Sequence, residues 1–285
     1  IEASGPTLEN IRRLTLDEAP ALPHSWTGDS KSVIFERRAS GPVQGKTQWD
    51  VFLQSIGDRV SRPLATTAAT EFYPVLSPNP GWVLFQQYEA DKGRAAQRLM
   101  RVPLAGGPAE PVPAVGSFDE FRCAVAGSRC ILRATENKQQ VYYEVDAFKG
   151  RGRELLRTAW ISEVMGDWDL SADGTLIAVP NHNPTTATIH LFGLDPKPGQ
   201  PAEWDTTVPG LASLYNIRWD TRDQGWYASV RVPSGVVLTY IHRDGRFVNL
   251  RAEPLATWGV PAPDGKRLAF LGQDVETNFW RVHGL

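Results

Sequence analysis

The feature that most constrains the fold is a unit that the chain presents six times: a short strand, a tight polar turn and a second apolar strand. The six copies are SWTGDSKSVIFE from Ser25, VLSPNPGWVLFQ from Val75, CAVAGSRCILRA from Cys123, DLSADGTLIAVP from Asp169, RWDTRDQGWYASV from Arg218 and VPAPDGKRLAFL from Val260. They recur at intervals of roughly 40 to 50 residues, and helical periodicity is almost absent between them. This pattern predicts a repetitive all-β structure.

The spacing leaves room for two further strands in each unit, as in a four-stranded propeller blade. We therefore predict one domain over residues 1–285, a six-bladed β-propeller with antiparallel blades starting near residues 24, 73, 121, 167, 216 and 258. The sixth unit has a third strand at 278–282 but no fourth, which leaves an open sheet edge. We expect residues 10–16, within the N-terminal segment 1–23, to supply the outer strand that closes this last blade.

Composition and charge exclude several classes of function. Hydrophobic residues make up 41% of the 285 residues, which is enough for a packed core, and the formal net charge of −2 comes without a basic run. Nucleic acid is therefore not an expected partner. No apolar stretch approaches the roughly 20 residues of a membrane helix, so we expect membrane attachment only through a tether outside this segment.

The inner strands of a propeller line a central channel, and the residues that lead into them form one of its mouths. Aromatic, cationic and amide groups there could bind a small polar ligand or the end of a peptide. An ordinary solvated funnel is the alternative. By register with the turns, the candidate ligand-binding residues are His24, Tyr73, Arg122, Asp167, Trp168, Asn216 and Trp258.

The two cysteines flank one of the repeated turns. If Ala126 and Gly127 form the centre of a two-residue turn, Cys123 lies directly opposite Cys130 on the paired strand. Opposed Cβ atoms at about 4.5–5.5 Å are close enough for a disulfide, which would indicate an oxidising compartment. Two buried free thiols are the alternative.

Catalytic and metal-binding motifs are scarce. The sequence has no Gly-x-Ser-x-Gly elbow and no pair of histidines at zinc-binding spacing. The stretch GDWDLSADG could suggest calcium, but Asp173 is better placed to accept backbone hydrogen bonds in its turn. A lyase or lactonase in the channel would need converging acidic residues, and only Asp167 and Glu120 qualify. We therefore expect no enzymatic activity, no cofactor and no metal.

The turn pattern Trp-(Ser/Thr)-x-Asp-Gly before an apolar strand resembles the repeat of TolB-like propellers. The stretches RLMRVPLAGGP, FKGRGRELLR, WDLSADGTLIAV and PDGKRLAFLGQDVETNFWRV look more closely like the propeller of bacterial receptor-type serine/threonine kinases, notably acidobacterial ones. The resemblance covers about the whole chain. It departs from the repeat in the third unit, which has VAGS at the turn, and in the fifth, which has the longer DTRDQG.

The resemblance implies an extracytoplasmic sensor or interaction module of a membrane-anchored kinase, which binds an unknown small ligand, protein or peptide. It also implies that the kinase domain lies outside this sequence, which has no Gly-rich phosphate loop and no His-Arg-Asp or Asp-Phe-Gly motif. A periplasmic protein–protein scaffold like TolB is the alternative.

Overall fold

The computed structural model describes residues 6–16, 19–39, 48–89, 96–159, 168–181, 185–199 and 201–272. Within these ranges it contains five four-stranded antiparallel sheets and one two-stranded sheet. In every sheet, strands that follow each other in sequence are also neighbours in space. The all-β propeller predicted from the repeats is confirmed.

Each four-stranded sheet is one blade, numbered here in chain order. Blade 1 contains β1 (Ala21–Trp26), β2 (Ser32–Arg38), β3 (Trp49–Ser55) and β4 (Arg62–Ala65). Blade 2 contains β5 (Thr70–Leu76), β6 (Trp82–Tyr88), β7 (Arg98–Pro103) and β8 (Glu110–Pro111). Blade 3 contains β9 (Glu120–Cys123), β10 (Cys130–Glu136), β11 (Gln139–Asp146) and β12 (Gly150–Ala159).

The remaining strands complete the described part of the fold. Blade 4 contains β13 (Asp169–Leu170), β14 (Leu176–Asn181), β15 (Ala187–Gly193) and β16 (Glu203–Val208). Blade 5 contains β17 (Leu214–Trp219), β18 (Gly225–Val232), β19 (Gly235–His242) and β20 (Phe247–Glu253). The sixth unit contributes β21 (Gly259–Pro261) and β22 (Leu268–Phe270).

The predicted count of six four-stranded blades is corrected to five in the described part of the chain. The sixth unit forms its turn, with Ala262 N–H donating to Arg267 O, but only two strands pair there. The third strand predicted at 278–282 lies outside the described residues. A blade needs all four strands, and β22 is the last strand before the described chain ends.

The predicted N-terminal clasp is also corrected, because residues 10–16 do not form a strand. Asn10 has a φ of 53°, which interrupts an extended backbone. The segment is held against blade 1 instead, where Gln54 Nε2 donates to Leu14 O at 2.8 Å and Arg12 donates to Ile56 O at 2.6 Å. The carbonyl of Leu14 and the side chain of Arg12 thus fix the segment to blade 1, and the segment does not pair with the last sheet.

The hydrophobic core lies between adjacent blades. Side chains alternate sides along a strand, so one strand can serve two neighbours. In β6, Val83 and Phe85 pack in a cluster shared with blade 1, whereas Leu84 packs in a cluster shared with blade 3. This arrangement explains why the second strands of the repeats have continuous apolar runs.

The inner strands form a closed ring. Contacts run in order from β1 to β5, β9, β13, β17, β21 and back to β1. Two indole groups bridge the last junction: Trp26 Nε1 donates to Val260 O at 2.9 Å, and Trp258 Nε1 donates to Pro23 O at 3.0 Å. The Asp264 N–H also donates to Ser30 Oγ at 3.0 Å. Blade 1 and the sixth unit are thus joined directly.

Candidate functional site: the central funnel

The inner strands surround a cavity of about 410 Å³ that opens where these strands lead into their turns. The six repeats can be aligned on the residue whose N–H closes the turn, for example Ser77 donating to Trp82 O and Ser171 donating to Leu176 O. Two positions earlier, each unit contributes one residue to the cavity wall. This ring consists of Ser25, Val75, Arg122, Asp169, Arg218 and Val260.

The ring divides the wall into two halves. Blades 3, 4 and 5 contribute charged side chains in succession, Arg122, Asp169 and Arg218, whereas the facing part carries Val260, Ser25 and Val75. At the next position of the repeat, blades 1 and 5 have Trp26 and Trp219, which also line the cavity and are 6% and 4% exposed. The funnel therefore combines polar groups with apolar and aromatic surface, as small-molecule sites do.

Three of the seven predicted ligand-binding residues line the funnel: His24, Tyr73 and Arg122. Trp168, Asn216 and Trp258 do not line it, and Asp167 lies outside the described residues. The prediction therefore chose the wrong register for the last three units. The funnel is built at the turn end of the inner strands, whereas the prediction placed the mouth at their beginnings.

The physical reason for the wrong register is that large aromatic residues before the inner strands wedge between blades. Trp168 is fully buried and meets Tyr142 edge to face, with ring centroids 5.2 Å apart. Trp258 is committed through its indole N–H to the carbonyl of Pro23. Asn216 belongs to β17, where its backbone lies opposite Ser229 of β18. The two tryptophan side chains support the ring of blades instead of facing the channel.

Asp169 and Arg218 are the charged residues of this ring that were not predicted from the sequence. Asp169 Oδ2 accepts a hydrogen bond from the Trp219 N–H at 2.8 Å, and its Oδ1 lies 3.8 Å from Arg122 Nε. Arg218 donates to Ile217 O at 2.7 Å. Aligning all six repeats on the turn N–H, rather than on the residues that precede each strand, would have identified both positions.

His24 and Tyr73 reach the funnel because their strands are irregular. The β1–β2 register shifts between Pro23 and Ser25, and the β5–β6 register shifts between Phe72 and Val75. Bulges of this kind re-aim side chains and often occur beside functional sites. The imidazole of His24 and the ring of Tyr73 then meet edge to face, with centroids 5.3 Å apart.

The buried carboxylate of Glu36 contacts both His24 and Tyr73. Glu36 Oε2 lies 3.1 Å from His24 Nε2 and accepts the Tyr73 N–H at 2.8 Å. The side chains of His24 and Glu36 are each only 7% exposed. Tyr73 has a φ of 53°, a conformation that costs a non-glycine residue on the order of 1–3 kcal/mol. The hydrogen bond to Glu36 helps to stabilise that conformation.

Arg122 is packed against a network on the charged half. Its side chain donates to Phe121 O at 2.9 Å and lies 3.7 Å from Glu120, which in turn lies 3.3 Å from Arg133. The guanidinium carbon also lies 5.5 Å from the centre of the Trp168 ring, a cation–π distance. Arg122 is therefore fixed in place before any ligand arrives.

Asp220 lies on the wall nearer the turns, and its carboxylate is also hydrogen-bonded. Its Oδ1 accepts hydrogen bonds from the backbone N–H groups of Arg222 and Gln224, both at 2.9 Å. Its Oδ2 accepts a hydrogen bond from the Tyr240 hydroxyl at 2.5 Å. Burial and this hydrogen bond raise the pKa of Tyr240 well above its usual range. The carboxylate of Asp220 thus organises its turn.

Cys123 lies on the funnel wall beside Arg122, and the structure joins its sulfur to that of Cys130 at 1.91 Å. The two residues are directly opposite in the β9–β10 register, with Cα atoms 4.0 Å apart. The turn between them docks on blade 4, because Ala126 and Gly127 both donate to Ala172 O.

Two further sequence expectations concern metals and membranes. The predicted role of Asp173 in its turn is confirmed, since Asp173 Oδ1 accepts the Thr175 N–H at 2.9 Å and the Ser171 hydroxyl at 2.7 Å. The described residues hold no group of three or more His, Cys, Asp or Glu side chains that could bind a metal ion. They also include no helix with the length and apolar character to span a membrane.

Comparison with solved structures identifies the fold. The chain superposes on the structure of a putative TolB from Agrobacterium tumefaciens with a TM-score of 0.64 and 13% sequence identity, covering 91% of this chain and 92% of the other. The fold is that of a TolB-like β-propeller. TolB from Acinetobacter baumannii matches with a TM-score of 0.56 and 17% identity over 80% of this chain and 53% of the other.

An enzyme is also similar in structure. A puromycin-hydrolysing peptidase from Mycobacterium tuberculosis matches with a TM-score of 0.55 and 14% identity, over 84% of this chain but only 38% of the peptidase. This chain likewise spans about half of the length of the Acinetobacter TolB. At such identities the similarity concerns the fold alone. No protein-family model and no curated protein matches the sequence.

Proposed function

We propose that this chain is a non-enzymatic sensor or interaction module that works outside the cytoplasm and binds its ligand, or the end of a partner's chain, in the central funnel. The observation that carries the proposal is the funnel wall, where two strand bulges bring His24 and Tyr73 to face a ring that already contains Arg122. A purely structural channel would not require the strained backbone of Tyr73.

The non-enzymatic part of the proposal follows from how the acidic groups on the wall are used. Asp169 and Asp220 each accept hydrogen bonds from backbone N–H groups, which commits these carboxylates to structure. A lyase or lactonase needs an acid, a base or a metal site that remains available for the substrate. Of the imidazole and carboxyl groups on the described wall, this leaves His24, whose Nε2 lies 3.1 Å from Glu36 Oε2.

The extracytoplasmic part is supported by the paired cysteines, since disulfides persist in oxidising compartments. The role as the sensor of a receptor serine/threonine kinase is supported by the sequence resemblance, which also accounts for the missing kinase motifs. A TolB-like scaffold differs in taking a protein instead of a small ligand. A sensor and a scaffold would use the same funnel, so an experiment that separates them must identify the bound molecule.

We also propose that the sixth unit belongs to a complete six-bladed ring. The support is the closed sequence of contacts between inner strands and the reciprocal indole hydrogen bonds between blade 1 and the sixth unit. An experimental structure with only five complete blades, and with the remaining residues away from β22, would contradict this.

Native mass spectrometry can test the ligand-binding proposal. The purified protein is incubated with a metabolite and peptide extract from an extracellular or periplasmic fraction, and bound masses are recorded. Val75→Trp places an indole group in the funnel, because Val75 belongs to the ring of wall residues. Val60→Trp is the matched control, because it adds the same indole group at a position that is 80% exposed. We expect a bound mass with wild type and Val60→Trp but not with Val75→Trp.

The mass itself separates the two kinds of ligand, a small molecule for a sensor and a peptide or protein for a scaffold. Circular dichroism and melting curves check that both variants fold. A bound mass that persists in folded Val75→Trp would place binding elsewhere and would contradict the proposal.

A further inference from the structure

The turns add a second set of residues to the funnel wall, three positions after the ring. In every repeat, the residue that follows the turn-closing N–H lines the cavity. These six residues form a collar at the mouth: Gly28, Pro78, Val125, Ala172, Thr221 and Pro263. None of the six is charged, whereas the ring contains two arginines and an aspartate. Three residues of chain span at most about 10 Å, so the wall changes from charged to uncharged over that distance.

Most of the mouth is apolar. Along the collar, an apolar arc runs from the sixth unit through blades 1, 2 and 3 to blade 4, and blade 5 interrupts it with Thr221. Blade 2 widens the arc with Pro80 and Leu104, and blade 3 widens it with Ala126. Among the described residues that line this level, Ser77 and Asp220 are the other polar ones. The mouth therefore has an apolar arc that faces a polar sector on blade 5.

Val125 is the member of the arc that the turn itself explains least. It is 51% exposed, and its neighbour Ala126 is also exposed. At the position of Ala126, three other units have an aspartate that accepts the backbone N–H two residues further on: Asp29, Asp173 and Asp264. Blade 3 closes its hairpin with the disulfide instead, and the N–H groups of Ala126 and Gly127 dock on blade 4. The VAGS departure from the repeat thus places apolar surface at the mouth that turn closure does not require.

An apolar patch at the entrance of a cavity has a different meaning from a single exposed side chain. Single exposed apolar residues are normal, whereas contiguous ones mark interaction sites. The base of the funnel does not suit an apolar group, because packing it against Arg122, Asp169 or Arg218 would separate a charged group from water at a cost in free energy. A ligand that matches both levels has an apolar part at the collar and a polar part toward the ring.

A hydrocarbon chain matches the arc better than an extended peptide does. A peptide carries a C=O group at every residue and an N–H group at every residue except proline, and burying these groups without partners is costly. The side chains of the arc are proline rings and aliphatic groups, which offer no hydrogen bonds. A hydrocarbon chain needs none. The cavity of about 410 Å³ is also of the size of small-molecule sites.

We infer that the funnel binds an amphiphile, whose linear hydrocarbon chain packs on the apolar arc of the collar and whose polar head lies toward the ring. The residues of the arc that contact the chain include Pro78, Leu104 and Val125. This inference rests on the proposed function, since it specifies the ligand of the same funnel.

Alkyl compounds of increasing chain length test the inference. The probes are butyl, hexyl and octyl chains on three heads of different charge, a carboxylate, a trimethylammonium group and a glucoside, all below the concentration at which micelles form. Calorimetry measures their binding to wild type, Val125→Ser and Val60→Ser. Val60→Ser is the matched control, because Val60 is 80% exposed and is not among the residues that line the funnel. Melting curves check that both variants fold.

We expect at least one head series to bind with a stoichiometry of one, and its affinity to rise about twofold to fourfold with each methylene, since full burial of a methylene corresponds to about fourfold. Val125→Ser should weaken binding of the octyl probe by up to about tenfold and binding of the butyl probe less, because it removes apolar surface from the arc. Val60→Ser should bind as wild type does. No binding in any series, an affinity that does not depend on chain length, or unchanged octyl binding in Val125→Ser would overturn the inference.

The outcomes separate this inference from the proposed function. If a ligand from the extract binds wild type but not Val75→Trp, and the alkyl probes show no dependence on chain length, the funnel remains the ligand site and only the hydrocarbon chain is refuted. If the extract ligand and the octyl probe both bind folded Val75→Trp as they bind wild type, the site lies elsewhere and both proposals fail.

Discussion

At the scale of single residues, the least expected group is Glu71, a carboxyl group that is completely buried between blades 1 and 2. Its Oε1 accepts hydrogen bonds from Thr67 and from Gln87 Nε2, the latter at 3.1 Å. Burial, reinforced by the nearby charge of Asp50, raises the pKa of Glu71 from 4.5 to about 7. The pKa of Asp50 is raised as well, mainly by burial, although Gln48 and Arg37 act against that shift.

This raised pKa predicts a pH dependence of stability. Between about pH 4.5 and pH 7 the folded protein holds a proton on Glu71 that the unfolded chain has released, so the free energy of unfolding falls as pH rises. The loss should be on the order of 3 kcal/mol and complete above about pH 7. Urea denaturation of wild type and Glu71→Gln from pH 4.5 to pH 8 measures it. Parallel curves for the two proteins would show that Glu71 titrates normally.

At the scale of elements, the β9–β10 turn joins three features: the disulfide, the funnel wall and the contact with blade 4. Arg129, next to Cys130, donates to Gly174 O at 2.9 Å and pairs with Asp195 at 2.7 Å, so the hairpin is fastened to its neighbour from both sides. The disulfide fixes the hairpin from within by closing a loop with a sequence separation of 7.

We expect the Cys123→Ala, Cys130→Ala double variant to lose about 2 kcal/mol of stability relative to the oxidised protein, since a short closed loop removes limited entropy from the unfolded chain. Wild type treated with dithiothreitol should lose a similar amount, whereas the double variant should be insensitive to the reductant. Alkylation without reductant, followed by mass measurement, counts the free thiols. Two alkylated cysteines in protein from an oxidising compartment would contradict the disulfide.

The elements also show what could be predicted from the sequence. The repeated turns could be predicted because each has polar residues between two apolar strands. The position of the cysteines opposite each other could be predicted because they lie at equal distances from the centre of one such turn. The direction of side chains near the start of an inner strand depends on bulges and on wedging between blades, which no single repeat reveals. His24 and Tyr73 line the funnel at two bulges, and their role in binding stays a prediction. Trp168 and Trp258 were assigned to the channel and instead pack between blades.

At the scale of the whole molecule, the decisive junction is the one between blade 1 and the sixth unit, because it closes the ring of inner strands. We expected closure by strand pairing of the N-terminal segment. Instead, the Leu14 carbonyl accepts a hydrogen bond from blade 1, and the Leu14 side chain packs on a cluster that blade 1 shares with the sixth unit. Closure by two indole hydrogen bonds could not be foreseen, since their acceptors, Val260 O and Pro23 O, are backbone groups far away in sequence.

The junction can be tested with two matched tryptophans at equivalent positions of the repeat. Trp26 Nε1 donates across the junction, whereas the buried Trp219 Nε1 has no hydrogen-bond partner in the described structure. We expect Trp26→Phe to cost about 1 kcal/mol more than Trp219→Phe, because the first change leaves Val260 O without its donor. Urea denaturation gives both values. Equal losses would mean that the indole bond does not stabilise closure.

The central claim is that the funnel is a ligand-binding site, and it is tested most directly by a crystal structure of the protein purified from its native host. We expect ordered density, larger than a water molecule, in contact with His24 and Tyr73 and enclosed by the six-residue ring of the funnel wall. A funnel that holds only water, together with a ligand or partner bound to the outer strands, would contradict it.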